Sequence, residues 1–137
     1  MSRQQKWAKE ALTRVSQHKA KTKEEQKKES KYRTLCLKMP ALLKQSGLVQ
    51  SLAFMRARDE IGKVFCDELA EVYEVQKKDK KSAGEVLQDK AQNAERLDQY
   101  LVLSRDLIDI SVWFRRFAQS ELADDDKLPG GADAGPT

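Results

Sequence analysis

The fold is decided by the stretch KYRTLCLKMPALLKQSGLVQSLAFMRAR, from Lys31 to Arg58, which interrupts a helical pattern twice, at Pro40 and at Gly47. Proline removes a backbone N–H and disfavours helical torsions in the residue before it, and glycine lets the chain turn or approach a neighbour closely. We therefore predict corners at both residues. Between them, the segment ALLKQS is expected to form a short turn that reverses the chain.

The segment that follows Gly47 carries apolar residues on most of its circumference. One stripe at helical spacing holds Leu48, Leu52 and Met55. Other apolar side chains point away from that stripe, namely Ala53, Phe54 and Ala57. A helix that is apolar on several sides is buried on several sides. The pattern therefore predicts that this is the central helix of the domain.

Helical periodicity extends in both directions from this stretch, and three capping boxes mark helix starts. The boxes pair Ser2 with Gln5, Thr22 with Glu25, and Ser82 with Glu85. We predict helices after Ser2 and Thr22, a helix from Ile61 to about Gln76, a polar corner at Lys77 to Lys81, a helix from Ser82 through Leu101, and a last helix from about Arg105 to Leu122. No alternating strand pattern is present.

Together these elements predict an all-α protein, a compact bundle of five or six helices that forms a single domain over residues 1–122. The remaining residues, 123–137, read ADDDKLPGGADAGPT and have no apolar period. A segment of this composition does not bury enough apolar surface to fold. We therefore predict an acidic, disordered C-terminal tail.

The net charge of +4 hides a gradient along the chain. Residues 1–34 hold 11 Lys or Arg against 4 Glu, a balance of +7, whereas the residues from Asp124 onward carry −3. A basic N-terminal third indicates a polyanionic partner. The alternative is that lysine-rich helices are simply kept soluble by this charge, and charge alone does not separate the two.

Several functional classes receive no support from the sequence. No stretch approaches the roughly 20 apolar residues of a membrane span, and no apolar core follows the basic N-terminus, so we expect a cytoplasmic protein without membrane contact. Cys36 and Cys66 match no metal or disulfide spacing and are expected to be small core residues.

Catalytic and metal-binding patterns are missing as well. The single histidine, His18, lies at the margin of the first helix's apolar stripe and is expected to be solvated or edge-packed. The phosphate-binding, nucleophile-elbow and zinc-protease motifs do not occur. Adjacent acidic residues are typical of solvated faces in a chain with 35% charged residues. We therefore expect no enzymatic activity, no cofactor and no metal.

Two segments resemble a known family. YRTLCLKMPALLKQSGLVQSLAFMRAR and LIDISVWFRRFAQSEL are similar to the two signatures of the small subunit of the type III-B, or Cmr, CRISPR RNA-guided effector complex. The resemblance covers residues of about 32–58 and 105–122. Its more specific part is the spacing of Pro40, Gly47, Leu48 and Phe54, and its less specific part is the cluster Trp113, Arg116, Phe117 and Ala118.

The resemblance implies a non-catalytic structural subunit in a ribonucleoprotein. Copies of it would stack head to tail as a filament, beside other subunits of the effector complex that hold the guide RNA, and would help to bind the single-stranded target RNA. Other subunits would cut that strand. The alternative from a different class is a helical protein-interaction adaptor that never touches RNA. Salt-sensitive binding to single-stranded RNA separates the two hypotheses.

Candidate RNA contacts are basic residues beside structured elements, because a preorganised cation loses less entropy on binding. They are Lys19, Lys21 and Lys23 at the first corner, Lys38 and Lys44 around Pro40, and Arg56 or Arg58 at the end of the predicted central helix. The two arginines are about 200° apart on a helix, which predicts that only one of them faces a given groove. We favour Arg58, and Lys77 to Lys81 is a weaker candidate.

Candidate subunit-interface residues lie on the last helix. Ile108 and Val112 are one turn apart on the side opposite its main apolar arc, bordered by Arg115 and Arg116. They form either a second core contact or an exposed ridge. An exposed apolar ridge beside arginines is typical of a surface that stacks against another molecule.

Overall fold

The computed structural model describes residues 1–123, and this part of the chain folds into six helices. They are α1 (Arg3–Ser16), α2 (Lys23–Ser46), α3 (Leu48–Arg58), α4 (Glu60–Val72), α5 (Ala83–Gln92) and α6 (Leu97–Glu121). Within these residues the only β-type pairing is a single bridge between Lys78 and Lys81. The all-α bundle predicted from the sequence is confirmed. A disordered tail was predicted for residues 123–137, and from Asp124 onward these residues lie outside the described part.

The predicted capping residues begin three helices. Ser2 and Ser82 each form a reciprocal box with the residue three positions on. At the third site Thr22 Oγ1 accepts from the Glu25 N–H at 3.3 Å, but the Glu25 carboxylate accepts from the Lys21 N–H at 2.8 Å instead of closing the box. These caps are local hydrogen bonds, which is why the sequence locates them.

The predicted corner at Pro40 is wrong, and the ALLKQS segment is helical. α2 runs for 24 residues without interruption through Pro40 to Ser46. A proline inside a helix costs about 3 kcal/mol, but here it is buried, between the fully buried Met39 and the nearly buried Leu43. Packing of this side of α2, above all against α6, offsets the loss. The corner lies at Gly47 alone, where φ is +83°.

The predicted central position of α3 is also wrong. Leu48, Leu52 and Met55 are buried, yet Phe54 is 57% exposed. Alanines such as Ala57 tolerate solvent, so apolar residues around a helix do not guarantee burial. The central helix is α4, which packs against all five others.

The centre of the core joins three helices through aromatic rings. Phe65 of α4 packs edge-to-face on Tyr32 of α2 and on Phe114 of α6, with ring centroids 5.9 and 5.7 Å apart. All three side chains are completely buried. Such pairs add to the stabilisation from burial of apolar area.

Three helix boundaries differ from the prediction. α4 ends at Val72, followed by Glu74 with φ +64°, so it is shorter than predicted. α5 ends at Gln92 and is capped by Asn93, whose N–H and side-chain amide both donate to the Asp89 carbonyl. A separate helix, α6, then begins at Leu97, eight residues before the predicted start.

Both cysteines are buried core residues, as predicted. Burial raises the pKa of the Cys66 thiol to about 12 and raises that of Cys36 further. Both thiols therefore stay protonated at neutral pH. None of the six helices is long and apolar enough to cross a bilayer. Over residues 1–123, His, Cys, Asp and Glu side chains do not gather into a group of three that could hold a metal.

Candidate nucleic-acid interface

The corner between α1 and α2 is fixed by a buried carboxylate. Glu68 of α4 lies with Oε2 2.7 Å from His18 Nε2, and its Oε1 accepts from the Tyr32 hydroxyl at 2.5 Å. The His18 and Tyr32 rings stack at 3.5 Å. Burial raises the pKa of Tyr32 well above its usual value, so the hydroxyl remains a donor. His18 is thus edge-packed, one of the two placements that the sequence allowed.

This corner presents the first group of predicted RNA contacts. Lys19 and Lys21 are exposed in the connection, and Lys23 is exposed at the first position of α2. Two acids of α2 hold the backbone of this corner, since Glu25 accepts from the Lys21 N–H and Glu29 from the Ala20 N–H. These lysines are therefore held near a rigid corner, and their ammonium groups form no ion pair with other residues of the described part.

The part of α2 that precedes Pro40 carries a longer basic surface. At 3.6 residues per turn, Lys23, Lys27, Lys31 and Lys38 fall within about 80° of one another, on the side opposite the buried residues. We call these four residues the basic stripe. All four are exposed, and the stripe extends about 22 Å along the helix. Glu24, Glu25 and Glu29 lie outside it on the same projection.

Sequence reasoning found only part of the stripe. It selected Lys23 and Lys38 but passed over Lys27 and Lys31, because it sought cations beside the predicted corners. A helical projection from Thr22 to Met39 would have found all four, since all of them precede Pro40. Lys44 is exposed on α2 but lies about 60° outside the stripe.

The two arginines at the end of α3 have different surroundings. Arg56 donates to Gln88 Oε1 at 2.5 Å and lies 3.9 Å from Glu85, so it joins α3 to α5. Arg58, the last residue of α3, is exposed and pairs with no carboxylate in residues 1–123. Neither arginine is close to the basic stripe in sequence. Of the two, Arg58 is the one whose guanidinium is exposed and available to a binding partner.

The predicted interface residues lie on a longer apolar ridge of α6. Ile108 is half-buried against the core and Val112 is half-buried, whereas Arg115 and Arg116 are exposed. Arg116 lies over the Trp113 ring, 5.0 Å from its centroid. On a helical projection Leu97 and Leu101 fall within about 60° of Ile108 and Val112. They are 73% and 52% exposed, and they were missed because the sequence placed them in the preceding helix.

Comparison with known proteins identifies the family of the chain. A family model described as CRISPR-associated protein (Cas_Cmr5) matches residues 3–121. The protein named CRISPR system Cmr subunit Cmr5 from Thermus thermophilus is 38% identical over 122 residues, covering 87% of this chain and 95% of that protein.

A solved structure extends the likeness to three dimensions. The crystal structure of a CRISPR-associated Cmr5 family protein from Thermus thermophilus superposes with a TM-score of 0.75 at 33% identity, over 90% of this chain and all of that one. The family match includes every helix from α1 to α6. The chain therefore belongs to the Cas_Cmr5 family of CRISPR-associated proteins.

Proposed function

We propose that this protein is a non-catalytic structural subunit of a type III-B (Cmr) CRISPR RNA-guided effector complex, and that it helps to bind single-stranded target RNA. The observation that carries the RNA part is the basic stripe on α2, continued at the α1–α2 corner by Lys19 and Lys21. Support for the assembly comes from the 38% identical relative, which is named a Cmr subunit.

The basic stripe has the properties that phosphate binding requires. Its lysines project from one helix that packs on the core, so their backbone positions are fixed before RNA arrives. Of the glutamates on the same helix, Glu25 and Glu29 face other directions, and Glu24 borders the stripe. In an RNA-guided complex the guide supplies sequence recognition by base pairing, so a protein subunit needs to hold only the backbone. Lys44, about 60° outside the stripe on α2, and Arg58, at the end of α3, are further candidates.

The proposal assigns no chemical step to the chain. Its single histidine, His18, is held by Glu68 and stacked on Tyr32, which suits a structural role. Its two thiols are buried and protonated. Cutting of the target is assigned to other subunits, and the partners of this one are those subunits, the guide and target RNA, and further copies of itself in a cytoplasmic complex.

Replacing Lys27, Lys31 and Lys38 together by Gln is expected to weaken binding to a 20-nucleotide single-stranded RNA at least about tenfold at low salt, for all sequences alike. If each lysine neutralises one phosphate, the slope of log K against log salt falls by about 2. Fluorescence anisotropy over a salt series, with the isolated protein and with the reconstituted complex, measures both quantities.

The matched control replaces Lys9, Lys63 and Lys90 by Gln, three exposed lysines on α1, α4 and α5 that belong to no candidate contact. It removes the same charge and should leave both the affinity and the slope nearly unchanged. Equal losses in the two variants would mean that only overall charge matters. An unchanged slope in the stripe variant would remove the RNA-binding proposal and favour the protein-interaction adaptor.

We further propose that copies stack through the α6 ridge, which comprises Leu97, Leu101, Ile108 and Val112 with Arg115 and Arg116 beside it. A 25-residue helix that exposes Leu97 and Leu101 at the N-terminal end of this face gains stability when a partner covers them. The arginines border the ridge in the way that polar residues surround the apolar centre of an interface.

Val112→Glu is expected to block stacking while the fold remains, because Val112 is half-buried and lies outside the main core. The control is Val64→Glu, the same substitution at a valine of α4 that is 42% exposed. Analytical ultracentrifugation and reconstitution of the complex report assembly, and thermal melts followed by circular dichroism report folding. Unfolding of the Val112 variant would show instead that the ridge belongs to the core.

A further inference from the structure

We propose that the hairpin formed by α2 and α3 holds one nucleobase of a single-stranded RNA on the ring of Phe54, with the neighbouring phosphates at Lys38 and Arg58. The inference rests on the RNA-binding role proposed above. It adds a contact to a base, where that role required contacts to the backbone alone. The base is one that is not paired with the guide.

The first observation is a long stretch of sequence without acidic residues. Residues 30–58 hold six Lys or Arg and not one Asp or Glu, although the chain as a whole has 22 acids in 137 residues. This stretch comprises most of α2 and the whole of α3. The positive charge of the hairpin is therefore not compensated by any residue of the stretch itself, which suits a polyanionic ligand.

The second observation is that the hairpin turns cationic and aromatic side chains to one outer side. Gly47, with φ +83°, reverses the chain, and the Ser51 hydroxyl donates to the Leu42 carbonyl at 3.1 Å. This bond marks the sides on which the two helices meet. On a helical projection Lys38 lies about 40° from Leu42, and Phe54 lies about 60° from Ser51. Both rotations lead away from the buried residues, so Lys38 and Phe54 share the outer side of the hairpin.

These side chains also lie at similar distances from the corner. Lys38 is four residues before Leu42, and Phe54 is three residues after Ser51, which corresponds to about 6 and 4.5 Å along the two helices. Arg58 follows one turn beyond Phe54, and all three side chains are exposed. A strand that passes between the helices therefore meets a cation, an aromatic ring and a second cation.

The surroundings of Phe54 favour a base over a protein surface. It is 57% exposed, and it is the only exposed aromatic residue in the range 1–123. Its neighbours one turn away on the same side of α3, Gln50 and Arg58, are polar and exposed. A single ring among polar groups is small for the apolar centre of a protein interface, whereas it matches the face of one base.

Two acids follow the hairpin and keep their charge. Asp59 caps α4, and Glu60 forms a surface pair on that helix. They lower the positive potential at Arg58. On α2 the acid nearest to Lys38 is Glu29, nine residues or about 13.5 Å away. We therefore expect Lys38 to make the stronger of the two phosphate contacts.

A stacked base changes how the affinity depends on salt. Stacking on an aromatic ring tolerates any sequence, because every base has a π face, so it agrees with a subunit that leaves sequence recognition to the guide. Stacking releases no counterion, whereas each phosphate contact does. The affinity thus has one part that falls with salt and one part, from Phe54, that does not.

The first test compares Phe54→Leu with the natural chain by fluorescence anisotropy over a salt series. The ligands are a 20-nucleotide oligouridylate and an abasic ribose-phosphate strand of the same length and charge. Leucine keeps an apolar side chain but has no π face. We expect about fivefold weaker binding of oligouridylate at an unchanged salt slope, and no change with the abasic strand. The full chain and the reconstituted complex are both measured.

Two further variants serve as controls for this measurement. Val64→Ala truncates an apolar side chain of α4 that is 42% exposed, and it should leave the affinity for both strands unchanged. Arg58→Gln should weaken both strands alike and lower the salt slope by about 0.7 or less, as expected for one phosphate contact. Thermal melts followed by circular dichroism show that each variant is folded.

The second test detects the stacking directly. In Phe54→Trp the indole emission should fall when oligouridylate binds and stay constant when the abasic strand binds. The natural chain, with Trp7 and Trp113, provides the background.

The outcomes separate this inference from the RNA-binding role. Equal losses of Phe54→Leu on both strands, or an unchanged affinity for oligouridylate, would overturn the stacking and leave the role of the basic stripe standing. An unchanged affinity together with failed reconstitution of the complex would assign Phe54 to a protein interface instead. Failure of the natural chain and of the complex to bind either strand would remove the RNA-binding role and this inference together.

Discussion

Replacing Phe65 by Ala is expected to lower the free energy of unfolding by about 4 kcal/mol, the scale for truncating a buried aromatic ring. The side chain is completely buried in α4 and lies between the rings of Tyr32 and Phe114. Its loss leaves a cavity where α2, α4 and α6 meet, and it removes two edge-to-face contacts. Urea unfolding followed by circular dichroism gives the change from the shift of the midpoint.

The same substitution at Phe54 is the control. Phe54 is 57% exposed on α3, so Phe54→Ala should change the free energy of unfolding by about 0.5 kcal/mol or less. The comparison also tests which helix is central. Equal costs at the two positions would return α3 to the centre of the bundle, where the sequence pattern had placed it.

Gly62→Ala is expected to destabilise the protein by about 3 kcal/mol, although alanine is by itself the better helix former by about 1 kcal/mol. A Cβ at this position in α4 would lie 1.9 Å from the Met55 carbonyl oxygen and 2.9 Å from its carbon. Both atoms belong to the backbone of α3, which a single residue, Asp59, joins to α4. The two helices must therefore move apart.

The control for this substitution is Lys63→Ala at the neighbouring exposed position, where only a surface pair with Glu60 is lost. We expect a change within about 0.5 kcal/mol there. Gly84→Ala provides an intermediate case, because its closest contact, at 2.7 Å, is the Asp67 Oδ1 atom of a side chain. A stabilised Gly62 variant in the same urea experiment would show that α3 and α4 are not in backbone contact.

The sequence predicted those parts of the fold that depend on neighbouring residues. Ser2, Thr22 and Ser82 act as caps because their hydrogen bonds close within four residues, and the helical period after each of them is equally local. The effect of Pro40 could not be predicted in this way. It depends on how much surface of α2 is buried against α6, and that is a property of the assembled bundle.

Apolar periodicity gave wrong predictions of burial where the apolar residues lie on the surface. Leu97 and Leu101 have the spacing of a core stripe but are exposed, and Phe54 likewise faces solvent. A pattern of this kind records that a face is apolar, without recording whether the same chain or another molecule covers it. The candidate lysines were selected for their position beside predicted corners, so only Lys23 and Lys38 of the basic stripe were identified, although all four of its lysines precede Pro40.

The carboxylate of Glu29 has a consequence for how the domain opens. Helix ends usually fray alone, at little cost in free energy, and fraying spreads inward from a terminus. Here Ala123, which follows α6, donates to one oxygen of the Glu29 carboxylate, and Ala20, in the α1–α2 connection, donates to the other. The end of α6 therefore cannot separate from the bundle without breaking a hydrogen bond to the carboxylate that also holds this connection. The C-terminus of the bundle and its first corner therefore belong to one cooperative unit, and a protease would reach the last turn of α6 only after the hydrogen bonds to that shared carboxylate have broken.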